Sequence, residues 1–306
     1  MRIVTRPDFD GIVCAVLLYD VADITAPIAW VEPSQIQKNE VSIKTGDILA
    51  NLPFHENASL WFDHHHSNRV DVPFKGLFRV APSAAGLVYE HYKERLSRDF
   101  SELVAQADKI DAADLSADEV ARPEDHPYIL LSMTIVNHDW SEAPYWNLLV
   151  DLLGRLPIDR VMAHEAVQAR CRQTIEDNRN LAAHLKKHTT LYGHVAVTDF
   201  RALDVAPTGN RFLVYSLFPD AVVSVKIRHP DNDRSRVIVS VGHSIFNRGC
   251  NVNVGEMLSQ FEGGGHRGAG ACTFLADKAD DYIPGIIDIL VKNEKNDSPA
   301  IESKTK

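Results

Sequence analysis

Asp8 and Asp10 stand one residue apart at the head of an apolar run, Ile12–Tyr19, with only Gly11 in between. Two carboxylates at the mouth of a buried helix repel each other, and burying either one without a partner is expensive. The pair calls for a positive partner and for a fold that delivers one. A short apolar stretch, Met1–Thr5, precedes it, so the order is strand, acidic turn, buried helix. Related patterns follow. Ile28–Pro33 is strand-like, Val41–Leu49 alternates and reaches Asp47, and Ser59–Phe62 runs as a strand into Asp63. Ser83 is a good N-cap for the helix after it, and Ser101–Asp111 is a further helix. Strands alternating with helices define an α/β fold with a mostly parallel sheet. Ligands of such sheets gather at the carboxyl ends of the strands. Asp8 with Asp10, Asp47, and Asp63 with its histidines each fall at such an end, so they are expected to converge.

From about residue 127 to 190 the pattern is helical and no strand is convincing. A strand-rich stretch follows, with Ala221–Pro230 and Arg236–His243 as a hairpin, then a short helix, a glycine cluster, a strand and a closing helix. The expected organisation is a catalytic domain over residues 1–125, a helical connector over 126–190, a smaller mixed α/β domain over 191–292, and a disordered polar tail over 293–306.

The length of 306 residues suits two domains. With a net charge of −10 and a pI of about 5.8, a broad basic face for long duplex nucleic acid is not expected, while a local basic groove stays open. Cys14, Cys171, Cys250 and Cys272 form no C-x-x-C pair, and each lies in or beside an apolar stretch. They read as buried thiols in a reducing compartment. Ile12–Tyr19 is too short to span a bilayer and follows acids rather than a basic region. A cytoplasmic protein with no membrane partner is expected.

Asp63-His64-His65-His66 is the densest group of potential ligands. Side chains alternate at a strand end, so at most two of the three histidines face one site. Histidine nitrogen with carboxylate oxygen suits manganese, iron, cobalt or zinc. Asp8 and Asp10 could each hold a different ion of a pair. Asp47 could bridge that pair, or simply be a turn residue after Gly46. Asp108, Asp111 and Asp114 are spaced to share one helical face, where at least two are expected to be solvated.

Gly263–Gly270 reads GGGHRGAG. It formally fits G-x-G-x-x-G, but a helix precedes it and a strand follows, the reverse of a dinucleotide fold. Consecutive glycines allow an anion-binding nest of backbone N–H groups, to which His266 and Arg267 add donors. A tight turn is the plainer alternative. Asn247 and Arg248 could join such a site or belong to a loop.

Asp8-Phe9-Asp10-Gly11, Asp63-His64-His65 and Gly263-Gly264-Gly265-His266 occur in the order found in the DHH phosphoesterases. The chain resembles that family, in the group with the DHH-associated C-terminal domain, over residues 1 to about 125 and about 190 to 292. The group includes RecJ-like exonucleases, short-oligoribonucleotide nucleases and cyclic-dinucleotide phosphodiesterases. The resemblance implies that Asp8, Asp10, Asp47, His64 and Asp111 hold metal, with Asp47 bridging. It gives Asp10, His65 and Asp63 catalytic roles: His65 facing the phosphate, Asp63 supporting the histidines. Gly264, Gly265, His266, Arg267 and Arg248 would contact substrate. One departure stands out. Many members carry a histidine four residues before the first aspartate, and here that place is Val4, as RecJ-like members also lack it.

The resemblance implies a phosphoesterase using two Mn²⁺ ions, with Mg²⁺ or Co²⁺ as substitutes. Its expected substrate is a short oligonucleotide or a linear or cyclic dinucleotide. Exopolyphosphatase-like cleavage of phosphoanhydrides is the first alternative, and a non-catalytic nucleotide sensor the second. A homodimer is compatible with all three.

Overall fold

Short apolar runs in the first quarter of the chain become parallel strands because both faces of the sheet they form are covered. The structure, a computed structural model, describes residues 1–137 and 139–297. It comprises two units. The first contains Met1–Leu115 and Arg122–Thr174, and the second contains Ser116–Ala121 and the chain from Ile175 onward.

In the first unit β1 (Arg2–Thr5), β2 (Ala29–Trp30), β3 (Asp47–Ala50), β4 (Leu60–Asp63) and β5 (Gly76–Phe78) form one parallel sheet in the order β2-β1-β3-β4-β5. Every residue of β3 is buried. On one face lies α1 (Phe9–Val21), whose residues from Phe9 to Leu18 are all buried, as expected of a helix apolar on every side. It packs against α3 (Ala84–Tyr92) and α4 (Ser101–Asp111). On the other face Val4, Leu49 and Trp61 meet Val31, Leu52 and Ile36, the last on α2 (Pro33–Gln37). Val4 is therefore a core residue of this face.

The helices expected to form a separate connector do not stand apart. α6 (Pro127–Met133), α7 (Ala143–Arg155) and α8 (Ile158–Met162) belong to the first unit, and α9 (Glu165–His188) passes between units at Thr174. α7 packs on α1, and its Trp146 is fully buried edge-on to Trp30 at 5.6 Å. The short α5 (Ala117–Ala121) groups with the second unit, against α10 (Leu213–Leu217).

The second unit holds β6 (Thr189–Tyr192), β7 (Val195–Asp199), β8 (Val223–Arg228), β9 (Arg236–His243), β10 (Gly263–His266) and β11 (Ala269–Leu275). Their order is β10-β11-β9-β8-β7-β6, mixed because only β7 and β8 run parallel. Alternate valines of β8 and β9 meet Met257 and Leu258 of α11 (Val254–Ser259) and Ile286 and Leu290 of α12 (Ala279–Lys292). The tail expected to be disordered begins as ordered chain. Asn293 accepts from the Asn251 N–H at 2.7 Å, and Asn296 accepts from the Asn253 N–H at 2.6 Å. Residues 298–306 of that tail lie outside the described residues. Among the described residues no helix is long and apolar enough to cross a membrane.

Candidate metal centre

The carboxyl ends of β1, β3 and β4 lie side by side, and the residues that follow them meet. Asp8 is the N-cap of α1. Its Oδ1 accepts from the Gly11 N–H at 2.9 Å and from Asn51 Nδ2 at 2.9 Å. Its Oδ2 faces Arg6 at 3.3 Å, and Arg6 also reaches Glu32 at 3.2 Å. Gly11 is required here, since a Cβ would lie 1.9 Å from the Arg6 carbonyl oxygen.

Asp10 is 2% exposed. Its two oxygens accept from the N–H groups of Ala84 at 2.9 Å and Ala85 at 2.7 Å, which open α3. A helix N-terminus stabilises a carboxylate in this way. Ser83 caps the same helix, accepting from the Gly86 N–H at 2.9 Å.

His64 Nδ1 donates to the Ala81 carbonyl at 3.0 Å. That bond commits Nδ1 as a donor, so Nε2 is the ring nitrogen available to a ligand. Nε2 is buried without a hydrogen-bond partner, 3.3 Å from Asp111 Oδ2 and 3.9 Å from Asp10 Oδ2. Ligand atoms of Asp10, His64 and Asp111 all lie within 4.8 Å of one another. Burial and the neighbouring acids Asp111 and Asp8 push Asp10 well above the usual carboxylate range. Burial likewise raises Asp8, against the pull of Arg6, and raises Asp111, against the pull of His64.

His65 lies beside His64, with ring centroids 4.1 Å apart, and bonds a different acid. Its Nδ1 bonds Asp63 Oδ1 at 2.8 Å, and this bond chiefly raises the imidazole pKa. Asp63 is fully buried and its second oxygen accepts from Asn68 Nδ2 at 2.8 Å. Both Asp63 oxygens are thus occupied inside the protein.

Among the acids of α4 and its end, Asp111 joins the cluster. Asp108 instead accepts from Ser83 Oγ at 2.5 Å. Asp63, His64 and His65 form a second group whose ligand atoms lie within 4.8 Å of one another, and Asp114 is in neither group.

Asp47 is a correction. The alternating stretch before it is not a strand; β3 begins at Asp47, which therefore stands at the amino end of the sheet, opposite the cluster. There it is 1% exposed and receives Arg2 Nε at 2.8 Å, Arg2 Nη2 at 2.5 Å and the Lys44 N–H at 2.9 Å. The residue at the carboxyl end of β3 is Asn51. It is 1% exposed, with φ of 58°, and its Oδ1 is buried without a partner. A search of the sequence for acids passes over it. The usable signal is its place, immediately after a four-residue apolar strand.

In the second unit the glycine cluster forms the edge strand β10, paired with β11, rather than a loop. Gly265 has φ of 153°, and a Cβ there would lie 2.3 Å from the Ala269 carbonyl oxygen, so packing explains it. Gly264 has open space where a Cβ would project. His266 and Arg248 are exposed. Arg267 pairs with Asp297 and donates to the Asn251 carbonyl at 3.1 Å, so its guanidinium already has partners.

A divalent cation fits the first cluster. His64 Nε2 and Asn51 Oδ1 are buried without hydrogen-bond partners; Asp10 and Asp111 flank the first, Asp8 bonds the Asn51 amide, and all three carboxylates have raised pKa values. Asp8, Asp10, His64, Asp111 and Asn51 are the side chains that could hold it.

No family model matches the chain, and no curated protein matches it. Solved structures do. PggH, a pGpG-specific phosphodiesterase from Vibrio cholerae, is 30% identical over 96% of this chain and 99% of its own, with a TM-score of 0.84. RecJ from Thermus thermophilus in complex with Mn²⁺ is 15% identical, covers 96% of this chain and 52% of its own, and superposes with a TM-score of 0.57. A manganese-bound RecJ exonuclease is 14% identical over 96% of this chain and 91% of its own, at 0.53. The last two share the fold. Fold and cluster together define a hydrolase of the phosphoesterase class. The chain belongs to the DHH phosphoesterases with an associated C-terminal domain.

Proposed function

We propose that this chain hydrolyses the phosphodiester bond of short linear oligonucleotides, dinucleotides above all, with two divalent ions, Mn²⁺ by preference. The observation that carries the reading is the buried, unpartnered Nε2 of His64 between the carboxylates of Asp10 and Asp111. The likeness to a pGpG-specific phosphodiesterase along nearly the whole chain supports the substrate class. An acidic net charge also favours a small substrate over long DNA.

Asp8, Asp10, His64, Asp111 and Asn51 would hold the ions. Bound there, divalent ions supply Lewis acidity to a phosphoryl oxygen and make water a stronger acid. Asp10 is kept in position by two backbone amides rather than by a mobile side chain. Asp63 orients His65 and favours its protonated form, so His65 can offer Nε2–H to a phosphoryl oxygen as charge grows there. Gly264, Gly265, His266 and Arg248 are proposed to contact substrate from the second unit. Arg267 takes a supporting part, holding the segment after α12 through Asp297.

A panel assay in Mn²⁺, Mg²⁺ and chelator tests this. It compares linear dinucleotides, cyclic dinucleotides, 3′,5′-bisphosphonucleosides and polyphosphate, with Asp10→Ala beside the wild type. Linear dinucleotides are expected to turn over fastest, best in Mn²⁺, and neither in chelator nor in Asp10→Ala. Preferred cleavage of polyphosphate would replace the proposal with phosphoanhydride hydrolysis. Binding of a dinucleotide without turnover in any metal would make the chain a sensor.

A further inference from the structure

Asn51 is the departure from an all-acid centre. The chain turns at this residue in the left-handed region, with φ of 58°, which asparagine tolerates better than most side chains. Its N–H is fixed by the Phe62 carbonyl at 2.9 Å and its Nδ2 by Asp8 Oδ1 at 2.9 Å. What remains is Oδ1, a buried acceptor with no donor. A buried amide oxygen beside acidic groups is satisfied by a donor or a cation, not by another acceptor, and a cation also offsets the acids.

The amide also sets the charge of the centre. The carboxylates within it are Asp8, Asp10 and Asp111, while His64 gives its Nδ1 hydrogen to the Ala81 carbonyl and turns Nε2 toward Asp10 and Asp111. Asp63 is committed to His65 and Asn68. Two divalent ions bring four positive charges against three negative ones. Arg6, 3.3 Å from Asp8, adds a further positive charge at the rim. The free protein therefore balances one ion well and a second poorly. A phosphodiester carries the missing negative charge.

We propose that Asn51 is a neutral metal-facing ligand that makes the two cation positions unequal. One ion binds the free protein, and the second enters together with the anionic phosphate of the substrate. The inference rests on the two-ion reading of the same site. It turns substrate binding into part of the assembly of the centre, a coupling that must be reciprocal between phosphate and metal.

The test is a Mn²⁺ titration of the full chain, followed by calorimetry and by the spin-resonance signal of free Mn²⁺. It is run without nucleotide, with a phosphorothioate dinucleotide, and with inorganic phosphate. Wild type is expected to take one tight ion alone, and the anion should tighten the second by about tenfold or more. Asn51→Asp restores the fourth negative charge without changing size, and should take two tight ions with no anion present. Asn51→Gly keeps the backbone turn but removes the amide, and should bind the first ion more weakly than wild type. Two equally tight ions in free wild type would overturn the inference. So would an Asn51→Asp titration indistinguishable from wild type, or Asn51→Gly binding as wild type does. Circular dichroism and a thermal melt of both variants establish that they are folded. The titrations without nucleotide stand apart from turnover. A chain that cleaves no dinucleotide yet shows this stoichiometry refutes the proposed substrate, not the role of Asn51.

Discussion

His64 donates its Nδ1 hydrogen to the Ala81 carbonyl at 3.0 Å, and that single bond decides what the opposite ring nitrogen can do. Nε2 is left buried without a hydrogen-bond partner, facing Asp10 and Asp111. Replacing the ring by alanine removes a ligand without touching the sheet. His64→Ala is expected to lower Mn²⁺ affinity by about 100-fold while the fold is retained. Calorimetry gives the first number and circular dichroism the second. Unchanged Mn²⁺ affinity would take His64 out of the centre.

The Arg2–Asp47 pair makes the opposite prediction. It is buried on the Asp47 side and lies at the far end of the sheet from the cluster. Asp47→Ala removes the acceptor of Arg2 Nε and of the Lys44 N–H, leaving Arg2 only the Ser42 carbonyl. The variant should lose about 2 kcal/mol in urea unfolding. Its Mn²⁺ stoichiometry should equal that of wild type. A variant with full stability but fewer bound ions would return Asp47 to the metal site.

Two glycines of the second unit separate packing from binding. A Cβ on Gly255, in α11, would come within 2.4 Å of the Gly265 carbonyl oxygen, whereas one on Gly264 would meet nothing within 4 Å. Gly255→Ala should cost about 2 kcal/mol through overpacking. Gly264→Ala should stay within about 0.5 kcal/mol of wild type. If Gly264 lines the substrate path, its alanine variant raises KM at unchanged Tm. A normal KM would remove it from the proposed contacts.

The pattern of strands, helices and acids was legible because each rests on local chemistry. Asp8, Asp10 and His64 follow strands, so their meeting could be expected from topology alone. Asp47 misled because an alternating run, Val41–Leu49, does not reveal where pairing begins. Ile43 is buried, but in a loop, and the ladder starts only at Asp47. A shift in where the strand starts moved the expected ligand to the wrong end of the sheet. Asn51 was missed because an uncharged amide gives no signal in a search for charge. The glycine cluster announced backbone freedom but not what comes close, which here is the neighbouring strand and α11. The residence of α7 in the first unit depends on long-range contacts such as Trp30 with Trp146, which no local pattern encodes.

His243, at the end of β9 in the second unit, provides a pH test of stability. Burial pushes its pKa below the ordinary histidine range, opposed by its bond to the Val252 carbonyl at 3.0 Å. The unfolded chain, at about 6.5, then takes a proton before the folded chain does. Stability falls as pH drops from about 6.5 through the lower folded value, then levels off. The difference in unfolding free energy between wild type and His243→Gln should therefore shrink toward acid. A difference that is flat or grows at low pH contradicts the assignment.

The amides of Ala84 and Ala85, which grip both oxygens of Asp10, belong to the peptide chain itself and survive almost any change of side chain. Drift in the composition of α3 can leave that grip intact. A single inserted or deleted residue between Pro82 and Ala85 cannot, because it would shift the helix start and carry these two N–H groups off the carboxylate. Spacing, more than residue identity, is what descendants of this sequence must keep at that bend.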